Sequence, residues 1–137
     1  MIKPSYLSRV GNRKSKIALV APARKITLEE ISFAIEYIKD RGFDVVYDER
    51  LFLSYNQFAG TDEERAAVLQ QYLDDDNIDA IMCVRGGYGT IRIIDKLCLD
   101  RFIQKPKWII GYSDVTVLHT KIQSIGVESL HATMPIN

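Results

Sequence analysis

A serine between an apolar run and a helical pattern is the residue of this chain best suited to nucleophilic chemistry. Residues 108–110 (WII) are typical of a short buried strand, residues 111–114 (GYSD) predict a tight corner, and apolar side chains recur at helical spacing from Val115 onward. A strand, a sharp turn carrying a serine and a helix are the parts of a nucleophile elbow. Backbone N–H groups at the start of the helix can then stabilise an oxyanion.

The same residues admit a second interpretation. The full elbow pattern is G-x-S-x-G, whereas its last position here is Val115. A lone G-x-S occurs often by chance, and Ser113 or Asp114 would also serve as the N-cap of an ordinary β–α turn. The motif alone leaves the nucleophile and the cap as alternatives.

A glycine-rich segment is the second informative stretch. Residues 78–84 predict a buried strand that leads directly into residues 85–89 (RGGYG). Three glycines in four positions let the backbone turn tightly and approach a ligand closely. The N–H of Asp114 and an N–H from Gly86 or Gly87 are therefore the predicted oxyanion donors.

Three further side chains are candidates for substrate binding. Arg85 adds a fixed positive charge that would hold an anionic peptide, or that would form a structural salt bridge across the loop. Tyr88 and Tyr112 would line the cleft or pack at its rim. Both alternatives stay open for each of them.

The sequence offers no convincing general base. His119 follows Ser113 by six residues, about 240° around a helix, so it should point away and act as a surface or packing residue. His131 leaves the last predicted strand, but its spacing does not place it on Ser113. The chain thus has a plausible nucleophile and oxyanion hole without a triad.

The elements that position these residues alternate regularly. Strands are predicted at residues 16–21, 43–47, 78–84, 108–110 and 126–130. Capping boxes at Thr27/Glu30 and Thr61/Glu64 begin two helices, and shorter helical segments are predicted from Ile91, at residues 100–105 and after the elbow. This order predicts an α/β fold, an open parallel sheet with helices on both faces as in a flavodoxin-like three-layer sandwich. Both informative stretches then lie at the carboxyl edge of the sheet, where ligands bind.

Composition narrows the class of protein. The 137 residues predict one domain at residues 16–137 after a polar, solvated tail at residues 1–15. A net charge of zero without a basic block argues against nucleic acid, and no apolar run is long enough for a membrane span. Cys83 and Cys98 are typical of free thiols in a reducing cytoplasm. Nothing indicates a metal or an organic cofactor, and the acidic residues 74–76 predict a solvated turn.

Four motifs in order carry a family resemblance: VAPA after the first strand, RGGYG, IIGYSD and LHATMP. Between about Lys16 and Met134 the chain resembles the N-terminal half of the LD-carboxypeptidase family of serine peptidases, which includes the microcin C immunity peptidases. The resemblance implies a Ser–Glu–His triad with Ser113 as nucleophile, and oxyanion donors at Asp114 and a glycine of residues 85–89. It also implies cleavage of terminal D-alanine from murein tetrapeptides in the bacterial cytoplasm during cell-wall recycling.

The resemblance also implies what these residues lack. The family's glutamate and histidine lie in a C-terminal domain that is absent from residues 1–137, so this chain alone should be nearly inactive. Where the family has a His-Gly-Pro-Met signature, this chain differs and has HATMP at residues 131–135. Loss of a partner domain should expose an apolar face, so a homodimer is expected.

Two other functions remain open. One is a microcin-type peptidase that acts on a peptidyl-nucleotide. The other is a non-catalytic, flavodoxin-like module whose glycine-rich loop binds an anion and whose Ser113 only caps a helix. A positive φ at Ser113 would favour the nucleophile, because a non-glycine residue rarely adopts that conformation.

Overall fold

The sheet is parallel and open. The structure is a computed structural model that describes residues 1–9 and 13–136, and in these residues five strands pair in the order β2-β1-β3-β4-β5. The strands are β1 Lys16–Val20, β2 Asp44–Val46, β3 Ala80–Cys83, β4 Trp108–Gly111 and β5 Leu130–His131. Every neighbouring pair runs parallel, which confirms the predicted sheet.

Four α-helices connect the strands in the described chain. They are α1 Leu28–Asp40, α2 Asp62–Asp74, α3 Asp100–Gln104 and α4 Thr116–Ser124. Both predicted capping boxes are confirmed: the Thr27 hydroxyl accepts from the Glu30 N–H, and the Thr61 hydroxyl accepts from the Glu64 N–H. The first two helices therefore begin where local sequence places them.

Helices cover the sheet on both faces, as predicted. Side chains of α2, α3 and α4 pack on one face and share a core with β1, β3 and β4. On the other face, Ile31 and Ile35 of α1 pack over alternate residues of the same strands. The central strands are thus buried on both sides, which explains their unbroken apolar sequences.

The prediction of a helix that begins at Ile91 is wrong. The segment forms two 3-10 turns, Thr90–Arg92 and Ile94–Lys96. Its start is held by tertiary contacts, since Thr90 hydrogen-bonds to Asp114 and the Arg92 side chain pairs with Asp62. Short 3-10 turns of this kind are common in connecting segments.

The last strand begins later than residues 126–130. The N-terminal segment occupies the earlier positions, because Ile2 forms a parallel bridge with Val127 and its N–H donates to the Gly126 carbonyl at 2.6 Å. Pairing with β4 is left to Leu130–His131.

Part of the predicted solvated tail is packed. Besides the bridge at Ile2, Pro4 is buried, and the Trp108 indole N–H donates to the Ser5 carbonyl at 2.9 Å. The segment therefore covers the amino end of β4. Among the described residues, no helix combines the length and apolar character needed to span a bilayer.

Candidate active site

The backbone bends sharply where β4 ends. Tyr112 is extended with φ −150°, and Ser113 then adopts φ 65° at the start of a 3-10 turn, Ser113–Val115, that continues into α4. This left-handed conformation is unfavourable for a serine. The serine side chain lies exposed, and the first N–H groups after it have no intrahelical acceptor.

The Asp114 carboxylate ties the elbow to the glycine-rich loop. It accepts hydrogen bonds from the Thr90 N–H at 3.1 Å and from the Thr90 hydroxyl at 2.7 Å. Thr90 is fully buried, whereas Asp114 is half-buried. The sequence indicated Asp114 only for its backbone N–H, and its partner twenty-four positions away was not predicted.

Gly86 lies directly against the elbow. A Cβ built on it would be 3.3 Å from the Asp114 N and 3.5 Å from the Ser113 Cβ. Gly87 has φ 87° and is exposed, and the same construction on it would strike the aliphatic part of Arg24. The structure thus brings Gly86, Ser113 and Asp114 together, with Gly87 one residue further along the rim.

A buried arginine holds the loops around this edge. The Arg65 side chain is fully buried and donates to the carbonyls of Pro22 at 2.9 Å, Gly60 at 2.7 Å and Gly89 at 3.3 Å. It also pairs with Asp62 at 2.8 Å. Arg65 therefore joins the ends of three segments. The sequence does not reveal this role, because nothing local distinguishes Arg65 from a solvated helix residue.

Arg85 is engaged within the fold. Its guanidinium pairs with Glu30 at 3.7 Å and donates to the Lys25 carbonyl at 3.2 Å. The structural salt bridge, one of the two alternatives for this residue, is therefore present. A third of the side chain stays exposed, at 32%.

The two tyrosines lie at the rim. Tyr88 is 51% exposed with φ 78°, and its ring centroid is 6.3 Å from that of Phe58. Tyr112 is half-buried, with its ring centroid 6.2 Å from that of His131. Tyr88 is thus the more accessible of the two.

Neither histidine hydrogen-bonds to Ser113. His119 is buried with Nε2 at 2.9 Å from the Gly111 carbonyl and Nδ1 at 2.7 Å from the Ser129 hydroxyl. A carbonyl only accepts, so Nε2 carries the proton and the hydroxyl donates to Nδ1. His119 thus packs under the elbow, in line with its predicted packing role. His131 is exposed, with its ring 6.1 Å from that of His119.

The surroundings of three titratable side chains near this edge of the sheet shift their pKa values. A hydrogen bond from Arg92 lowers the pKa of Asp62, and a backbone hydrogen bond at Thr27 lowers the pKa of Glu30. Burial, followed by the charge of Asp114, raises the pKa of Cys83 to about 12. The carboxylates are therefore ionised at neutral pH, and the thiol under the elbow is neutral.

No metal centre forms in the part of the chain described here, since no three His, Cys, Asp or Glu side chains are grouped to hold an ion. The acidic residues 74–76 follow another pattern. Asp75 accepts from the Asn77 N–H at 2.8 Å and Asp76 pairs with Arg101 at 3.4 Å, as expected of a surface turn.

These features define a parallel α/β protein with an elbow-type serine turn at the carboxyl edge of its sheet. The family profile described as LD-carboxypeptidase N-terminal domain matches residues 17–132. Because the match spans most of the chain, this protein belongs to the family of LD-carboxypeptidase N-terminal domains.

Named relatives agree with this assignment. The chain is 31% identical over 131 residues to a probable murein peptide carboxypeptidase of Bacillus subtilis, covering 95% of this chain and 41% of the relative. It is 30% identical over 117 residues to a murein tetrapeptide carboxypeptidase of Pseudomonas aeruginosa, covering 85% and 38%. The chain thus spans about two fifths of the length of these relatives.

Solved structures match the fold. A muramoyltetrapeptide carboxypeptidase from Oxalobacter formigenes superposes with a TM-score of 0.80 at 27% identity, covering 90% of this chain and 41% of the other. An MccF-like protein from Bacillus anthracis superposes with a TM-score of 0.88 at 21% identity, covering 99% and 41%. The second match supports the fold alone.

Proposed function

We propose that this chain is the N-terminal part of a serine-type LD-carboxypeptidase that removes terminal D-alanine from murein tetrapeptide in cytoplasmic cell-wall recycling. One observation carries the proposal: Ser113 has φ 65° in a turn between β4 and α4 and lies against Gly86. A residue that only caps a helix has an extended backbone, so the cap alone does not explain a positive φ at Ser113.

The proposed reaction begins with attack of the Ser113 Oγ on the scissile carbonyl carbon. The serine proton passes to a general base, and negative charge develops on the carbonyl oxygen. The N–H groups of Asp114 and of Gly86 or Gly87 would hold that oxygen. The C–N bond then breaks, D-alanine leaves with the proton, and water hydrolyses the acyl-serine to release the shortened peptide.

In this proposal, the general base that takes the serine proton comes from outside the described residues. His119 uses both ring nitrogens on Ser129 and Gly111, and no described side chain hydrogen-bonds to Ser113. A glutamate and a histidine from a C-terminal domain, as the family resemblance implies, would complete the triad. The 137-residue chain alone should then retain only the weak catalysis that an oxyanion hole supports.

A peptidyl-nucleotide is the second candidate substrate. The microcin C7 self-immunity protein MccF of Escherichia coli is 29% identical over 109 residues, covering 80% of this chain and 32% of that protein. The same serine and oxyanion donors would act on either amide bond. The choice depends on the pocket around the leaving group.

Release of D-alanine from murein tetrapeptide tests the proposal. The samples are the 137-residue chain, the product of the complete reading frame that contains it, and that product with Ser113→Ala. We expect release by the complete product, with a loss of at least about a thousandfold in Ser113→Ala. The exposed Ser32 of α1 provides the matched control, Ser32→Ala, which should keep full activity.

The same samples separate the alternatives. Release that persists in Ser113→Ala would contradict the assigned nucleophile. Absence of release from the tetrapeptide, together with cleavage of an aminoacyl sulfamoyl nucleotide, would favour the second substrate. Inactivity on both, with anion binding at residues 86–89, would favour the non-catalytic module.

A further inference from the structure

The carboxyl edge of the sheet carries an arginine that the elbow and the oxyanion donors leave unexplained. Arg24 lies four residues after the end of β1 and its side chain is exposed. No sequence motif marks this residue, although its position shortly after a buried strand places it at the edge where ligands bind.

Arg24 is anchored firmly by its backbone. It forms an antiparallel bridge with Phe58, and its N–H donates to the Gly86 carbonyl at 3.3 Å. The residues on either side are held too, since Ala59 donates to the Ala23 carbonyl and Lys25 donates to the Gln57 carbonyl, both at 3.0 Å. The base of the side chain is therefore fixed relative to the glycine-rich loop.

The Arg24 side chain lies across Gly87. A Cβ on Gly87 would collide with the Arg24 Cδ and would lie 2.9 Å from its Cγ. Gly86, the preceding residue, lies close enough to Ser113 that an added Cβ would be 3.5 Å from the Ser113 Cβ. Ser113, Gly86, Gly87 and Arg24 thus follow one another along the rim, and a Cβ at position 87 would occupy the space of the arginine side chain.

Arg24 differs from the neighbouring arginines in having no counter-ion. Arg85 pairs with Glu30, whereas Arg65 and Arg92 share Asp62. Within residues 1–9 and 13–136, no side chain or carbonyl forms a hydrogen bond or ion pair with the Arg24 guanidinium. Its planar donors are available for a carboxylate from outside the fold.

We propose that Arg24 binds the terminal carboxylate of the peptide substrate and makes the site select a chain end. The inference rests on the proposed function. In a peptide with its scissile carbonyl over Ser113, standard bond lengths place the carboxylate of the last residue roughly 4 Å beyond that carbonyl carbon. Among the described residues of this rim, Arg24 has a guanidinium without a counter-ion beside Gly87, while Arg85 stays engaged with Glu30.

Equilibrium binding tests the role of Arg24 apart from turnover. The protein is the product of the complete reading frame with Ser113→Ala, and the probes are murein tetrapeptide and the same peptide with a C-terminal carboxamide. We expect about tenfold or greater preference for the free acid, from a charge-assisted bidentate contact. Arg24→Gln should bind the acid and the amide equally and should unfold at an unchanged temperature.

Two matched variants locate the effect. Lys25→Gln removes the adjacent exposed cation, and Arg85→Gln removes the guanidinium of the glycine-rich loop. Both should keep the preference for the free acid. Loss of the preference in Arg85→Gln but not in Arg24→Gln would overturn the assignment, as would equal or unmeasurable binding of both peptides by the Ser113→Ala protein.

Hydrolysis by the protein with Ser113 intact separates this inference from the proposed function. If the tetrapeptide is not cleaved but the acid preference depends on Arg24, the carboxylate site stands and the hydrolase does not. If the peptide is cleaved without any acid preference in binding, the hydrolase stands and the role of Arg24 is refuted.

Discussion

At the scale of single residues, the backbone of Ser113 is the feature most closely linked to function. Among the described residues, only Asn56, Tyr88 and Ser113 combine a side chain with positive φ, and two of these lie at the proposed site. An L-residue in this conformation costs about 1–2 kcal/mol. Such strain persists where the surrounding structure requires it, and here β4 and α4 fix both ends of the turn.

Relief of this strain gives the first prediction. Ser113→Gly should raise the free energy of unfolding by up to about 1 kcal/mol, because glycine adopts positive φ without a steric penalty. Urea denaturation measures it. Ser32→Gly, in the middle of α1, should instead lower stability. A destabilised Ser113→Gly would contradict the strained turn.

The two cysteines give a second prediction. Burial raises the pKa of Cys83 to about 12, whereas Cys98 is exposed. Since the thiolate is the reactive form, iodoacetamide at about pH 8 should alkylate Cys98 in the native protein and reach Cys83 only after denaturation. Peptide mass mapping identifies the sites. Equal labelling of both thiols in the native state would show that Cys83 is not enclosed under the elbow.

At the scale of elements, one side chain holds three connections in place. Arg65→Met should lower stability by about 2–4 kcal/mol, because it leaves the carbonyls of Pro22 and Gly60 buried without a donor. Arg92→Met is the matched control. Arg92 also pairs with Asp62 and stacks on the Phe58 ring, but its side chain is 43% exposed, so the loss should be clearly smaller than that of Arg65→Met. Equal losses would show that burial of Arg65 is unimportant.

The Asp62 carboxylate, which pairs with both Arg65 and Arg92, makes the stability of the protein depend on pH. The hydrogen bond from Arg92, followed by that from Arg65, lowers the pKa of Asp62 in the folded state. A lowered folded pKa stabilises the protein above the unfolded pKa of about 4, and this contribution is lost as pH falls through the folded value.

Asp62→Asn should therefore lose less thermal stability than the parent between about pH 5 and pH 3. Differential scanning calorimetry across that range measures the difference. Asp95→Asn, at an exposed residue without a partner in the described structure, should follow the parent curve. Parallel curves for Asp62→Asn and the parent would contradict the lowered pKa.

Local signals and long-range contacts explain which parts were predictable. The capping boxes at Thr27 and Thr61 and the apolar runs of the central strands depend on neighbouring residues, so the sequence predicts them. The start of β5 depends on pairing between Ile2 and Val127, which no local pattern reveals. The strand pattern predicts that the serine and glycine motifs lie at one edge of the sheet. The contacts of Arg24 and Arg65 join residues that are distant in sequence, so no local pattern predicts them.

At the scale of the whole molecule, one face remains apolar. Helix α1 exposes Phe33 at 81% and Tyr37 at 49% beside a groove of about 360 Å³. Met82 and Met134 also line this groove. Exposed apolar surface of this kind favours association, and we propose that two copies of the chain pair through it.

Light scattering at increasing concentration measures this association. The 137-residue chain should form a dimer, and Phe33→Lys should shift it toward the monomer. Tyr6→Lys, at a residue that is 82% exposed outside α1, should leave the dimer intact. A monomer at high concentration would refute self-association through α1.

The central claim is that Ser113 forms a covalent bond to the substrate. Rapid acid quench of the complete product during turnover of murein tetrapeptide, followed by peptide mass spectrometry, tests it most directly. We predict an acyl group of the mass of the tetrapeptide minus D-alanine on the peptide that carries Ser113, absent from Ser113→Ala and present in Ser32→Ala. Turnover with the acyl group on another residue, or with no acyl-enzyme and full activity in Ser113→Ala, would contradict the account.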